Sequence, residues 1–246
     1  MKINSPLVSI VTVSFNAVKT IEQTILSVIN QTYPNVEYII IDGGSTDGTV
    51  DIIKKYEDKI AYWVSEPDKG IYDAMNKGID KVTGEWINFM NAGDEFYNND
   101  VLNKFFTANN LKEVDIIYGN MIVLFPKKTS LKKPLPINHL EKGMPFCHQS
   151  TFIKSNLHKK HLFNTTYKIC ADYKFFFDIY NKGAKFKYKD VIVSKFLYGG
   201  LSSSSALDLL IEERHISGKK HNRYFLNKFL KELLLGRFYE IYRKYI

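Results

Sequence analysis

The sequence predicts an α/β fold with a mostly parallel central sheet flanked by helices. Three observations carry this. The apolar run YIIID closes on Asp42, and WINFMNAGD closes on Asp94. Uninterrupted runs of this kind read as strands buried on both faces, the pattern of a parallel sheet. Strand-like and helix-like segments also alternate over residues 1–95, as they do in α/β domains. Ligands of open α/β sheets sit just past the carboxyl ends of the strands. Two acids delivered there can hold a polar ligand and a cation.

The elements follow in order. Val8–Ser14 (VSIVTVS) is the first strand. Residues 18–31 place Ile21, Ile25, Val28 and Ile29 at helical spacing, and Tyr33-Pro34 stops that helix. Glu37–Ile41 is the second strand, GGSTDG a loop, 49–58 a helix and Ile60–Val64 a short strand. Tyr72–Lys81 is helical, and Gly84 separates it from a strand over Trp86–Met90. Asp115–Tyr118 and Met121–Phe125 read as two strands, Lys127–Pro136 as a basic loop flanked by proline, and Phe146–Ile153 as a strand. Asp172–Asn181 is helical and ends at Gly183. Phe186–Leu197 is rich in strand formers, GGLSSSS is punctuation, and the rest of the chain reads as helix. This divides the protein into a main domain over 1–202 and a helical extension over 203–246.

Composition sets the class. The chain has 246 residues, of which 45% are hydrophobic and 24% charged, an ordinary soluble globular balance. No apolar stretch approaches the roughly 18 residues that read as a membrane-spanning helix. Ser9, Thr12 and Ser14 break the first apolar run and no small-residue cleavage site follows, so it reads as a strand and not a signal peptide. Cys147 and Cys170 give neither a disulfide framework nor metal-ligand spacing, which suits reduced thiols in a cytoplasmic protein.

The net charge is +8, but Arg214–Ile246 holds nine Lys/Arg against two Glu. The basicity therefore belongs to the tail and argues little about what the main domain recognises. With no aromatic–basic recognition motif beside it, a nucleic-acid partner is disfavoured. Within 222–246, Leu226, Phe229, Leu230, Leu233, Leu234, Phe238, Ile241, Tyr242 and Tyr245 fall close to one helical stripe with basic residues around it. Such a helix suits an anionic membrane surface, or packing on the domain with a solvated basic face.

Three acids and a histidine are candidates for chemistry. Asp42, followed by GGS, can accept hydrogen bonds from an imide N–H or a sugar hydroxyl while the small residues let a ligand lie on the backbone; equally, it can cap a turn. The segment matches neither GxGxxG nor a Walker A loop. Asp94 suits a hard divalent cation that takes one or two carboxylates and fills its shell with substrate phosphates; the plainer reading is a solvated loop acid. Asp172, in ICADYKFFFDIY, stands where a helix cap belongs, and a carboxylate there can also act as a general base. His148, in CHQST, is by itself as well read as structural. No acid pair traceable to one cleft supports a retaining or two-carboxylate glycosidase.

The motifs VSIVTVSFN, IIIDGGSTDGT, SEPDKGIYDAMNKGI with TGEW, and MNAGDEF occur in that order, followed by HQ and AD elements. Together, over roughly residues 6–200, the sequence resembles bacterial family 2 glycosyltransferases of the GT-A fold. The NAGD and HQSTF variants are most similar to the group that builds exopolysaccharide, capsule and O-antigen units.

The resemblance implies a GT-A catalytic domain with a C-terminal helical extension, acting as an inverting glycosyltransferase. Its donor would be a nucleotide-sugar, a UDP-sugar first, and its acceptor a glycan or polyprenyl-linked sugar. It implies that Ser14 and Asn16 line the nucleotide pocket, that Asp42 meets the base edge, and that Lys69 and Asn76 approach the ribose or phosphates. Asp94 would hold Mn²⁺ or Mg²⁺, Asp172 would be the catalytic base, and His148 and Gln149 would lie near the acceptor or sugar. Two departures stand out: Asn91, Ala92 and Gly93 replace all but the last acid of the usual metal motif, and Gly43 replaces a second acid after Asp42. The thinned motif also admits a nucleotide-sugar-binding protein with weakened catalysis. A lipid-linked acceptor and the basic tail would place the protein in the cytoplasm, peripheral to the inner face of the membrane.

Overall fold

The apolar runs alternate their side chains between two cores, and this accounts for their continuity in sequence. In a computed structural model, residues 5–107, 111–125, 128–197, 206–218, 224–227 and 230 are described. Strand β1 (Val8–Ser14) pairs in parallel with β2 (Val36–Asp42) and with β4 (Trp86–Phe89), and β2 pairs in parallel with β3 (Tyr62–Ser65). Val11, Val13, Ile39 and Ile41 point into one core, and Val8, Ile10, Tyr38 and Ile40 into the other. Successive side chains of a strand face opposite ways, so a strand covered on both sides reads as a nearly continuous apolar run rather than an alternating one.

The helices supply the two covers. Helix α3 (Ile71–Lys81) packs on β1 and β2 on the first face. Helix α1 (Ile21–Ile29) buries Ile21, Ile25 and Val28 on the other, joined there by Ile53 of α2 (Thr49–Lys55) and by α4 (Val101–Phe106). The first half of the sheet therefore has the expected parallel form.

Beyond β4 the sheet is mixed rather than mostly parallel. With β5 (Asp94–Phe96), β6 (Ile116–Phe125), β7 (Lys128–Lys132), β8 (Thr151–Lys154) and β9 (Phe186–Leu197), its order is β3-β2-β1-β4-β8-β6-β9-β5, and β7 pairs with β6 outside this path. Strand β8 (Thr151–Lys154) runs antiparallel to β4 and to β6 (Ile116–Phe125). Strand β9 (Phe186–Leu197) runs parallel to β6 and antiparallel to β5 (Asp94–Phe96).

Several sequence expectations change here. The two strands read at 115–118 and 121–125 are one strand, β6, whose pairing with β9 shifts register around Gly119 and Asn120. The glycine and asparagine that looked like a break mark a bulge inside a strand. The segment read as a basic loop contains β7 (Lys128–Lys132), antiparallel to β6; its alternation is weak because the strand is largely exposed. The strand read over Phe146–Ile153 begins only at Thr151, after a 3₁₀ turn over His148–Ser150. Strand β5, α4 and the short α5 (Ser155–Lys160) were not anticipated.

Helix α6 spans Ala171–Asn181, and α7 spans Ala206–Ser217 and packs on α6. The GGLSSSS segment lies outside the described residues. So does the amphipathic stripe expected over 222–246, apart from residues 224–227 and 230. No helix among the described residues is long and apolar enough to cross a membrane.

Candidate functional site

At the carboxyl ends of β1 and β2, Ser14 stands in register with Asp42. Asp42 is fully buried, and its carboxylate receives five hydrogen bonds. Three come from the hydroxyls of Ser14 (2.8 Å), Ser45 (2.6 Å) and Ser65 (2.6 Å), and two from the backbone N–H groups of Gly44 (3.1 Å) and Ser45 (2.8 Å). Burial pushes its pKa up, but these donors outweigh it and hold the carboxyl below its ordinary value. Asp42 is thus the knot of the GGST loop. The expected contact with a base edge requires an open acceptor, and this carboxylate is spent.

The loop after β1 is stitched to the same knot. Asn16 adopts φ 47° and accepts the Thr46 N–H at 3.0 Å, while its own N–H donates to Ser45 Oγ at 2.7 Å. The two loops form one floor.

Above this floor lies a hollow of about 690 Å³, lined among others by Ser14, Phe15, Asp68, Lys69, Tyr72 and Tyr167. Phe15 keeps 65% of its surface exposed. Lys69 lines the hollow, and its backbone N–H donates to Asp73 at 3.0 Å. Asn76 lines neither this hollow nor the next. Its amide donates to Phe163 O and accepts from Phe163 N, both at 2.9 Å, and so locks α3 to the 163 segment.

A second hollow of about 660 Å³ shares Ile71, Tyr72, Asn91, Ala92 and Ile169 with the first. It gathers Asp94, His148, Gln149 and Asp172. The left-handed φ of Gly93 (102°) turns the chain between β4 and β5, and Thr24 of α1 pins the turn by accepting Gly93 N–H at 3.0 Å and donating to Asp94 O at 2.8 Å. Asn88 of β4 donates to the carbonyls of Gln149 (3.0 Å) and Thr151 (2.9 Å), holding the His148 turn against the sheet.

His148 bridges the hollow. Its Nδ1 lies 3.1 Å from Asp172 Oδ2, and its Nε2 lies 3.3 Å from Asn91 Nδ2. Burial opposes a charge on this ring, but the hydrogen bond to Asp172 and the carboxylates of Asp172 and Asp94 prevail and raise its pKa. Asp172 sits in the first turn of α6, not at its cap, which is Cys170. Its Oδ1 accepts the Tyr173 N–H at 2.8 Å and the Tyr72 hydroxyl at 3.2 Å. The side chains of His148 and Asp172 remain 20% and 17% exposed, so both face the hollow.

Asp94 is buried, and that burial raises its pKa to about 6 despite the opposing influence of His148 and a hydrogen bond from Gln149. No group of three His, Cys, Asp or Glu side chains suited to a metal occurs among the described residues. The available donors are nevertheless hard oxygens: the Asp94 carboxylate and Asn91 Oδ1, which is buried without a hydrogen-bond partner beside the same hollow. One carboxylate and one amide oxygen fit Mg²⁺ or Mn²⁺ only if phosphates complete the shell.

Sequence reading missed the residues that arrange these groups from far along the chain. Glu212 of α7 accepts the backbone N–H groups of Lys168 (2.8 Å), Ile169 (3.1 Å) and Cys170 (2.8 Å), just ahead of Asp172. Leu209 and Glu213 of the same helix line the second hollow, and Asp208 the first. Nothing local in the sequence marks a carboxylate that caps a helix forty residues before it.

Comparison with known proteins agrees with this architecture. The sequence model of Glycosyl transferase family 2 matches residues 9–184. The PGL/p-HBAD biosynthesis glycosyltransferase of Mycobacterium tuberculosis is 29% identical over 209 residues, covering 81% of this chain and 80% of its own. Among solved structures, S. aureus TarS 1-349 in complex with UDP-GlcNAc aligns with a TM-score of 0.69 at 20% identity, over 85% of this chain and 65% of that one. The mannosyltransferase PcManGT from Pyrobaculum calidifontis, in complex with GDP-Man and Mn²⁺, aligns with a TM-score of 0.63 at 19% identity, over 82% of this chain and 59% of that one.

Proposed function

The chain belongs to glycosyl transferase family 2, and on that footing we propose that it moves a sugar, with inversion, from a nucleotide-sugar to an acceptor hydroxyl. The observation that carries this reading is the pair His148–Asp172, placed in a hollow whose floor continues into the one at the ends of β1 and β2. The first hollow takes the nucleotide. The second takes the sugar and acceptor, with His148 and Gln149 on its wall.

Asp172 removes the proton from the acceptor hydroxyl as that oxygen attacks the anomeric carbon. The bond to the diphosphate breaks on the opposite face, and its electron pair leaves with the diphosphate. Such a base contributes about 10²–10⁴-fold. Three donors, from His148, Tyr72 and the Tyr173 backbone, fix the carboxylate and leave part of its acceptor capacity for the substrate. His148 orients Asp172 through Nδ1–H, and the Asn91 amide at Nε2 sets that tautomer. A divalent cation held by Asp94 and Asn91 Oδ1 would neutralise charge on the departing diphosphate.

The acceptor is a glycan or polyprenyl-linked sugar of a surface polysaccharide in this reading, and the basic tail brings the enzyme to an anionic membrane. The name of the mycobacterial relative, a biosynthetic glycosyltransferase, supports a biosynthetic role and leaves the acceptor to the resemblance of the motifs. The tail's excess of Lys/Arg supports the membrane part.

Thermal shift against UDP-, GDP- and dTDP-sugars, each with Mn²⁺ or with chelator, tests the donor reading. A nucleotide-sugar that raises the melting temperature, more so with Mn²⁺, is expected. No response to any donor under either condition would end the proposal.

A further inference from the structure

Resting on the reading of the first hollow as a nucleotide site, we infer that Asp68, not Asp42, reads the donor's base, and that the base carries an imide N–H, as uracil and thymine do. Asp42 cannot serve, because it is wholly buried and both of its oxygens are committed to donors of its own loop.

Asp68 is placed differently. It lines the hollow together with Phe15 and is only partly buried. Its Oδ1 accepts the Gly70 N–H at 2.7 Å. Its Oδ2 receives no hydrogen bond from any described residue. The carboxylate lies directly against the backbone of Gly43: a Cβ built there would meet Asp68 Oδ2 at 2.5 Å and Phe15 Cδ2 at 3.3 Å. The absent side chain at 43 is what admits the carboxylate, and it leaves an acceptor oxygen and an aromatic ring edge within 3.3 Å of one point.

That pairing suits a flat heterocycle. The exposed Phe15 ring offers a stacking face, and Oδ2 offers one acceptor at the heterocycle's edge. The edge must therefore donate. Uracil and thymine donate through N3–H. Cytosine donates only from its exocyclic amine, which sits beside the lone pair at N3, and a carboxylate brought to that edge is repelled by the lone pair. Guanine presents two adjacent donors that fit both oxygens of a carboxylate side by side, and Oδ1, already turned to the Gly70 N–H, meets that demand less well than Oδ2 meets a single N3–H. Gly43 and Asp68 thus act as one unit, twenty-five residues apart.

Calorimetric titration of the full chain with UDP, CDP, GDP, dUDP and dTDP tests this. The wild type should bind UDP about 10- to 100-fold more tightly than CDP, the range expected of one hydrogen bond to a charged acceptor. The dUDP and dTDP arms differ only in the 5-methyl group and separate uracil from thymine. Asp68→Asn keeps an oxygen for Gly70 N–H and turns an NH₂ toward the base, so the preference for UDP over CDP should vanish or invert. Loss of fold would lower both affinities together and could not reproduce an inversion. Gly43→Ala should weaken UDP in the wild type and have little further effect in Asp68→Asn, since it acts by displacing Asp68. An unchanged UDP-to-CDP ratio in Asp68→Asn, or a wild type that prefers GDP, would overturn the inference while leaving the nucleotide site standing. A wild type that binds none of the five would instead overturn the nucleotide reading on which it rests.

Discussion

Glu212 Oε2 accepts the backbone N–H of Cys170 at 2.8 Å, so a carboxylate on α7 closes the amino end of the helix that carries Asp172. Those leading N–H groups have no partner inside their own helix, and Glu212 also takes the N–H groups of Ile169 and Lys168. A negative charge at this end is favoured by the helix dipole as well. Helix α7 therefore belongs energetically to the site, although it lies far along the chain.

Glu212→Ala should lower turnover more than it weakens nucleotide binding, because it loosens the frame of Asp172 and not the first hollow. It should also cost about 1–2 kcal/mol of stability, from donors left without an acceptor. Steady-state kinetics with nucleotide titration and denaturant unfolding check the two parts. Glu212→Gln retains one acceptor oxygen and should restore part of the loss in turnover; a purely structural role would move stability alone.

Asp42→Asn should destabilise the fold by about 2 kcal/mol or more, since an NH₂ replaces one of two oxygens that together accept five hydrogen bonds. Denaturant titration measures this. The variant that remains folded should keep its preference among nucleoside diphosphates, because the base is not read here.

His158 gives the stability a pH dependence. The ring is fully buried, stacked on Phe175 with centroids 4.2 Å apart, and burial lowers its pKa to about 4. The unfolded chain carries an ordinary histidine near 6.5, so between these values the unfolded state binds the extra proton. This contribution is present above about pH 6.5 and is lost as pH falls toward 4. Unfolding free energies measured across that window should decrease as the pH is lowered in the wild type, and decrease less steeply in His158→Phe.

Much of the first half was legible in the sequence. Val8–Ser14 and the strand ending at Asp42 are predominantly apolar because both faces are covered, and a run of that kind announces itself. Asp94, His148 and Asp172 were picked out, and the fold brings all three to one hollow. What sequence could not supply was which acids are spent. Asp42 and Asp68 look alike in a string of letters; five donors around one and an open oxygen on the other are three-dimensional facts. The bonds of the Asn76 amide to Phe163 were invisible for the same reason. Strand β7 and the Glu212 clamp were missed because an exposed strand loses its alternation and a long-range cap has no local signature.

The central claim is that Asp172 is the base and that donor binding does not depend on it. Once a donor and acceptor are identified, Asp172→Asn should be compared with wild type in single-turnover transfer and in donor titration. Transfer should fall about 10²–10⁴-fold with donor affinity nearly unchanged. Near-wild-type transfer by Asp172→Asn would contradict it.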